Sequence, residues 1–180
     1  MDMRIALALI LSLPLTFTLA QGDYLAPFAE SGRDYATLTR GPLSNLSSLL
    51  VSVEDVIARG SKTGFENWLI DCPSRLENTK FATINLDARR AQYEAWLKTR
   101  LAGLPLNTFE QAARNALSRV SIAAESSVAY AVGATAGYCA AKTLTDLRIG
   151  DVGRDRALVT FFVGQLDTAV ISLQAALEGH

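Results

Sequence analysis

Residues 126–141 (SSVAYAVGATAGYCAA) constrain this chain more than any other stretch. They carry no charge and are mostly Ala, Gly, Ser and Val. Side chains this small suit a helix that other helices approach closely from several sides. Asn107 and Glu110 supply the N-cap and N3 residues of a capping-box variant that starts this helix. Leu117, Val120, Ala124, Val128, Ala131 and Thr135 mark one face of it at three- and four-residue steps. Gly133 and Gly137 each cost about 1 kcal/mol relative to Ala in a helix. They either admit a close neighbour or mark a kink. Their Gly-x-x-x-Gly spacing has the form of a membrane dimerisation motif, but the run is short and too rich in Ala and Gly to span. They are read as packing in a soluble core.

The flanking sequence repeats the helical period. Leu43, Leu46, Leu49, Leu50, Val53, Val56 and Ile57 form one apolar face opposite Ser47, Ser48, Glu54, Asp55 and Arg59, with Gly60 as the C-terminal stop. Before it, residues 23–39 form a mixed segment with a short helix at 34–39, and Gly41-Pro42 punctuates. Residues 65–71 are a short helix closed by Cys72-Pro73, because a residue preceding proline is pushed out of the helical region. Residues 75–83 favour helix over strand. Residues 87–102 are a stronger helix, supported by Arg90, Glu94 and Lys98 at successive i,i+4 positions. Gly150 to Gly153 is read as the last turn, and 154–177 as the final helix. Its broad apolar face of Leu158, Phe161, Phe162, Leu166, Ala169, Val170, Leu173 and Leu177 belongs deep in a bundle, or forms a seam between two copies. The expected fold is all-α: a single-domain bundle of about four main helices with short accessory helices.

The first twenty residues read as a secretory signal. A basic residue at Arg4 precedes an apolar run broken by Pro14, and small residues around Ala20 offer a cleavage point before Gln21. A segment at 21–42 and a bundle domain at 43–180 follow. An exported chain, periplasmic or secreted, with two cysteines favours a disulfide between Cys72 and Cys139. No membrane span is expected after cleavage of the signal.

Catalytic motifs are sparse. The single histidine, His180, ends the sequence, where chains fray. That disfavours Ser-His and Cys-His catalysis and the Glu-x-x-His pairs of di-iron bundles. No phosphate loop, dinucleotide fingerprint, cofactor motif or metal site is read. A net charge of -1 argues against nucleic-acid binding, which needs a basic face. One stripe admits a binding reading. Arg89, Tyr93, Trp96 and Arg100 fall on one side of a helix, and two guanidiniums interleaved with two aromatics can grip carboxylates on an acidic loop or small anion; the plainer and favoured alternative is that the Arg stems run along the core edge while the aromatics pack inward. Tyr130, Tyr138 and the Trp68 region make a second cluster, read as packing beside the disulfide.

These features lead to an expectation of an exported, non-enzymatic interaction protein. It would act as an adaptor, inhibitor, immunity-type protein or structural accessory, with a partner protein of the envelope or extracellular space. The alternative is a carrier holding a small apolar or amphipathic ligand between its helices, in room left by Ala131, Gly133, Ala134 and Gly137. An exported enzyme run by Arg and carboxylate electrostatics, in the manner of a chorismate mutase, is a third and weaker reading based on fold-level analogy.

Overall fold

A computed structural model describes residues 21–179. The signal segment at 1–20 and His180 lie outside the described residues. Five α-helices follow one another: α1 (Gln21–Arg59), α2 (Lys62–Ile70), α3 (Cys72–Leu101), α4 (Thr108–Cys139) and α5 (Ile149–Glu178), with a 3-10 turn at Leu144–Asp146 before α5. The all-α bundle is as expected, and no strand occurs among the described residues. Four long helices pack together, α4 against α1, α5 and α3, while short α2 caps one end.

The largest departure is α1. It runs unbroken through Pro27, Gly41 and Pro42, where the sequence suggested a stop. A proline inside a helix costs about 3 kcal/mol, from a lost hydrogen bond and a clash with the preceding turn. Against that stands one continuous buried line: Phe28, Tyr35, Thr39, Leu43, Leu46, Leu50, Val53 and Val56. Each large apolar side chain on it contributes about 1.5–3 kcal/mol, so the line outweighs the proline. Gly32 lies on the same line. A Cβ there would overlap Cδ2 of Leu173, so the missing side chain lets α1 and α5 meet closely.

Local signals account for most other boundaries. Gly60 adopts a left-handed φ of 58° and ends α1. Ser61 caps α2, its Oγ accepting the Gly64 amide at 3.1 Å. Pro73 stands in the first turn of α3, where its missing N–H is harmless, and 75–83 and 87–102 join into that one helix. The capping box of α4 is complete. Asn107 Oδ1 accepts the Glu110 amide, and a Glu110 carboxylate oxygen accepts the Asn107 amide, both at 2.9 Å.

The last helix begins earlier than read. Gly150 and Gly153 lie inside α5 rather than in a turn before it. The Arg148 carbonyl accepts from the amides of Asp151 and Val152, and fully buried Val152 anchors this first turn.

The core divides in two. Phe28, Tyr35, Leu86, Tyr93, Leu97, Leu117, Val120, Leu166 and Leu173 fill one end. Leu43, Leu46, Leu50, Val53, Phe65, Trp68, Val152 and Val159 fill the other. Cys72 and Cys139 form the disulfide at this second end, with Cα atoms 5.4 Å apart and a sequence separation of 67. Closing a loop of that length contributes about 4 kcal/mol in the chain-entropy account. The bridge ties the start of α3 to the end of α4.

Candidate functional site

The Arg-aromatic stripe of α3 lies between helices. Arg89 pairs with Asp34 of α1. The Arg100 guanidinium donates to Glu110 Oε1 at 2.9 Å, and Glu110 is only 2% exposed. Tyr93 and Trp96 stack at 6.0 Å between ring centres, and both meet Phe28 of α1 edge-on, at 5.7 and 5.3 Å. Burial raises the pKa of the Tyr93 phenol and leaves its hydroxyl without a hydrogen-bond partner. The four residues are thus brought together, and both guanidiniums engage carboxylates of their own chain.

The second cluster is more polar than packing alone required. Buried Asp155 accepts the Tyr138 hydroxyl at 2.9 Å and Nε of Arg154 at 3.1 Å. Half-buried Tyr130 brings its enclosed hydroxyl beside the same carboxylate, though without meeting hydrogen-bond geometry. Desolvation first, and then Asp155, raise the pKa of both phenols. The cluster opens on a cleft of about 460 Å³ between the end of α4 and the start of α5, which Lys142, Asp146, Arg148 and Asp151 also line. Three cations and three carboxylates face it, so it is neutral overall. Among the described residues, no group of three His, Cys, Asp or Glu side chains is placed to hold a metal ion.

The outer face of α4 and α5 also departs from sequence expectation. The six residues assigned to the packed face of α4 are all buried. Gly133 and Gly137, however, point away from the core: both are exposed, and a Cβ on either would meet nothing within 4 Å. No neighbour among the described residues needs the space; Gly137, with Ala134, borders the cleft at the end of α4, and Gly133 borders neither that cleft nor the groove between α4 and α5. The apolar face of α5 is likewise only partly covered. Leu166 and Leu173 are buried, whereas Phe161 is 55% exposed. By length and composition α5 could cross a membrane, yet only 22% of its most apolar window is buried.

Charge is nearly absent from this face. Residues 120–141 of α4 and the following turn hold one charge before Lys142, Glu125, and 157–177 of α5 hold one, Asp167. Both are drawn sideways: Glu125 accepts from Arg90 of α3 at 2.7 Å, and Asp167 pairs with Arg40 of α1. What remains outward is Ile122, Ser126, Ala129, Gly133, Gly137 and Ala140 of α4, beside Phe161, Gln165 and Thr168 of α5. Between the helices runs a groove of about 450 Å³ floored by Ala123, Phe162 and Ala169, with Ile122 and Phe161 on its walls. The other outward faces differ. On α3, exposed Phe81 and Ile84 are interspersed with Glu77, Lys80 and Asp87.

The fold and this face define a disulfide-stapled, all-α bundle with one flank of low charge, Arg119 standing at one end of its groove. No protein-family model matches the chain, and no curated protein or solved structure matches it.

Proposed function

We propose that this chain is an exported, non-enzymatic interaction protein, an adaptor or structural accessory that docks on another polypeptide through the α4–α5 face. One observation carries the reading: between Arg119 at one end of the groove and the charge-balanced cleft at the other, two adjacent long helices present a continuous outward surface on which the only charged side chains, Glu125 and Asp167, are drawn aside into ion pairs. Soluble monomers rarely leave so extended a surface of low polarity, and such patches mark interaction sites. The chemistry suits a helical or flat protein partner. Small side chains at Ala129, Gly133 and Gly137 let another backbone come close, while Ile122 and Phe161 offer bulk to bury. Export is supported by the N-terminal pattern and is compatible with the disulfide.

The test is site-specific photo-cross-linking in the source compartment. A photoreactive residue replacing Gly133 is expected to give a discrete protein adduct, and one replacing Ala95 on the outer side of α3 is not. Equal labelling from both positions, or none from Gly133, would remove the reading.

A further inference from the structure

The disulfide joins two unlike sulfurs. Cys72 is 3% exposed and opens α3, whereas Cys139 is partly exposed and closes α4. We infer that this bridge is a thiol–disulfide exchange site: a small thiol attacks Cys139, Cys72 departs as the thiolate, and residues 62–85 come free of the bundle. The inference is independent of the docking role proposed for the α4–α5 face.

Access selects the sulfur that is attacked. Exchange depends on which sulfur the incoming thiolate can reach. Cys72 lies in the second core with Phe65 and Trp68, while Cys139 packs at the margin of that core. The open side of the bridge is Cys139.

The leaving side is favoured as well. A stabilised thiolate departs faster. Cys72 is the first residue of α3, which begins with no side-chain cap and no acidic residue in its first turn. The positive end of a helix dipole favours a thiolate there. Cys139 ends α4, at the negative pole of that helix, where the same charge is disfavoured. Arg75 adds a cation. It stands one turn beyond Cys72, and helical side chains lean toward the N-terminus, so it leans toward that residue. Its Nε is enclosed without a hydrogen-bond acceptor, and its Nη2 comes no closer than 3.9 Å to Asp71. An enclosed donor without an acceptor is rare and costly in a folded chain. A thiolate on Cys72 would supply the acceptor.

The electrons balance. The incoming thiolate bonds to Cys139 Sγ as the Sγ–Sγ bond breaks, and the electron pair of that bond stays on Cys72 Sγ. A second small thiol then attacks the sulfur delivered by the first. The products are two reduced cysteines and one oxidised dimer of the small thiol, which is the reductant.

Release follows from how lightly 62–85 is held otherwise. Between Cys72 and Leu86 the buried residues of α3 are Thr79 and Ala82, and the Thr79 hydroxyl donates to the Arg75 carbonyl of its own helix. Phe81 and Ile84 point to solvent. The segment's ion pairs, Lys62 with Glu66 and Arg75 with Asp71, stay within it. Phe65 and Trp68 are its only large buried side chains. A segment with so few buried apolar contacts opens at low cost once its covalent tie is cut. Leu86, Tyr93 and Leu97 hold the rest of α3 in the core.

The experiment treats the mature, disulfide-bonded chain with millimolar reduced glutathione at about pH 8.5, the pKa of an ordinary thiol. Samples are stopped with N-ethylmaleimide and both cysteines are mapped by mass spectrometry. Glutathione should appear on Cys139 and N-ethylmaleimide on Cys72, with at least a tenfold bias. Arg75→Gln should slow adduct formation at least threefold, whereas a variant that merely loosened α3 would react faster. Hydrogen exchange of the fully reduced chain should lose at least tenfold more protection across 62–85 than across 43–57 of α1. Glutathione on both cysteines alike or mainly on Cys72, or an Arg75→Gln rate equal to or above that of the unsubstituted chain, would overturn the inference. So would a bridge that resists glutathione, or reduction that changes protection equally in every helix or in none, because the disulfide would then be an inert staple.

Discussion

Two helical stripes of this molecule have exchanged the roles that their compositions suggest. The α3 stripe of Arg89, Tyr93, Trp96 and Arg100 has the chemistry of a ligand grip, yet each guanidinium meets a carboxylate from another helix of the same chain. The Ala-Gly stretch of α4 has the chemistry of a core helix, yet its glycines face outward. The difference teaches that charge and aromaticity say what a face can bind, not whether the partner belongs to the same chain. On α3 the chain binds itself. On α4 and α5 it leaves a surface that no other described residue of the chain covers.

The largest effect is expected where the α3 stripe is most buried. Arg100→Met keeps the aliphatic stem and removes the charge, leaving the Glu110 carboxylate, 2% exposed, without that partner. Breaking a buried ion pair from one side costs about 3 kcal/mol. Arg89→Met should cost less, about 1 kcal/mol, because water reaches both Arg89 and Asp34 and screens the pair. Urea denaturation of the two variants checks the order. Equal losses would mean that the stripe is not graded by burial and that its internal pairing matters less than drawn here.

Glycines give a sharper contrast at about 1 kcal/mol. Gly32→Ala pushes a methyl group into buried Leu173, and overpacking of this kind costs about 1–3 kcal/mol. Gly133→Ala meets open space and should stabilise the monomer by about 0.5–1 kcal/mol through helix propensity. Thermal unfolding in dilute solution compares them. A destabilising Gly133→Ala under those conditions would mean that α4 uses this position inside the monomer.

How much of this was legible from the sequence follows from contrast along each helix. The face from Leu43 to Ile57 stands out because Ser, Glu, Asp and Arg occupy its other side, and the α4 start is written in Asn107 and Glu110. The α1 boundary was obscured because Ser31, Gly32, Thr39 and Pro42 sit on the buried line without being large and apolar. Gly41-Pro42 is a local signal, and burial on both sides overrode it. The Gly150 and Gly153 pair misled in the same way. On α4 periodicity picked out the buried face, Leu117 to Thr135, but the opposite side carries Ala, Gly and Ser in place of charge, so nothing marked Gly133 and Gly137 as meeting water. The α3 stripe was found as a set of residues, but its partners Asp34 and Glu110 are distant or unremarkable in sequence. Only the packing of α1 and α4 brings them within reach.

Salt offers the smallest and most discriminating perturbation of the comparison. The flanks of the bundle are laced by exposed pairs, among them Arg156 on both oxygens of Glu54 at 2.9 and 2.8 Å and Arg90 bridging Asp87 and Glu125. Such pairs contribute about 0.2–1 kcal/mol each, and salt screens them. Raising sodium chloride from about 0.05 to 0.5 M, where the Debye length falls well below the ~10 Å of 0.1 M, should therefore lower monomer stability by less than about 1 kcal/mol. Urea denaturation at the two salt concentrations checks this, and a loss of several kcal/mol would mean that the pairs joining α1 to α5 and α3 to α4 hold the bundle together as firmly as its buried α3 stripe.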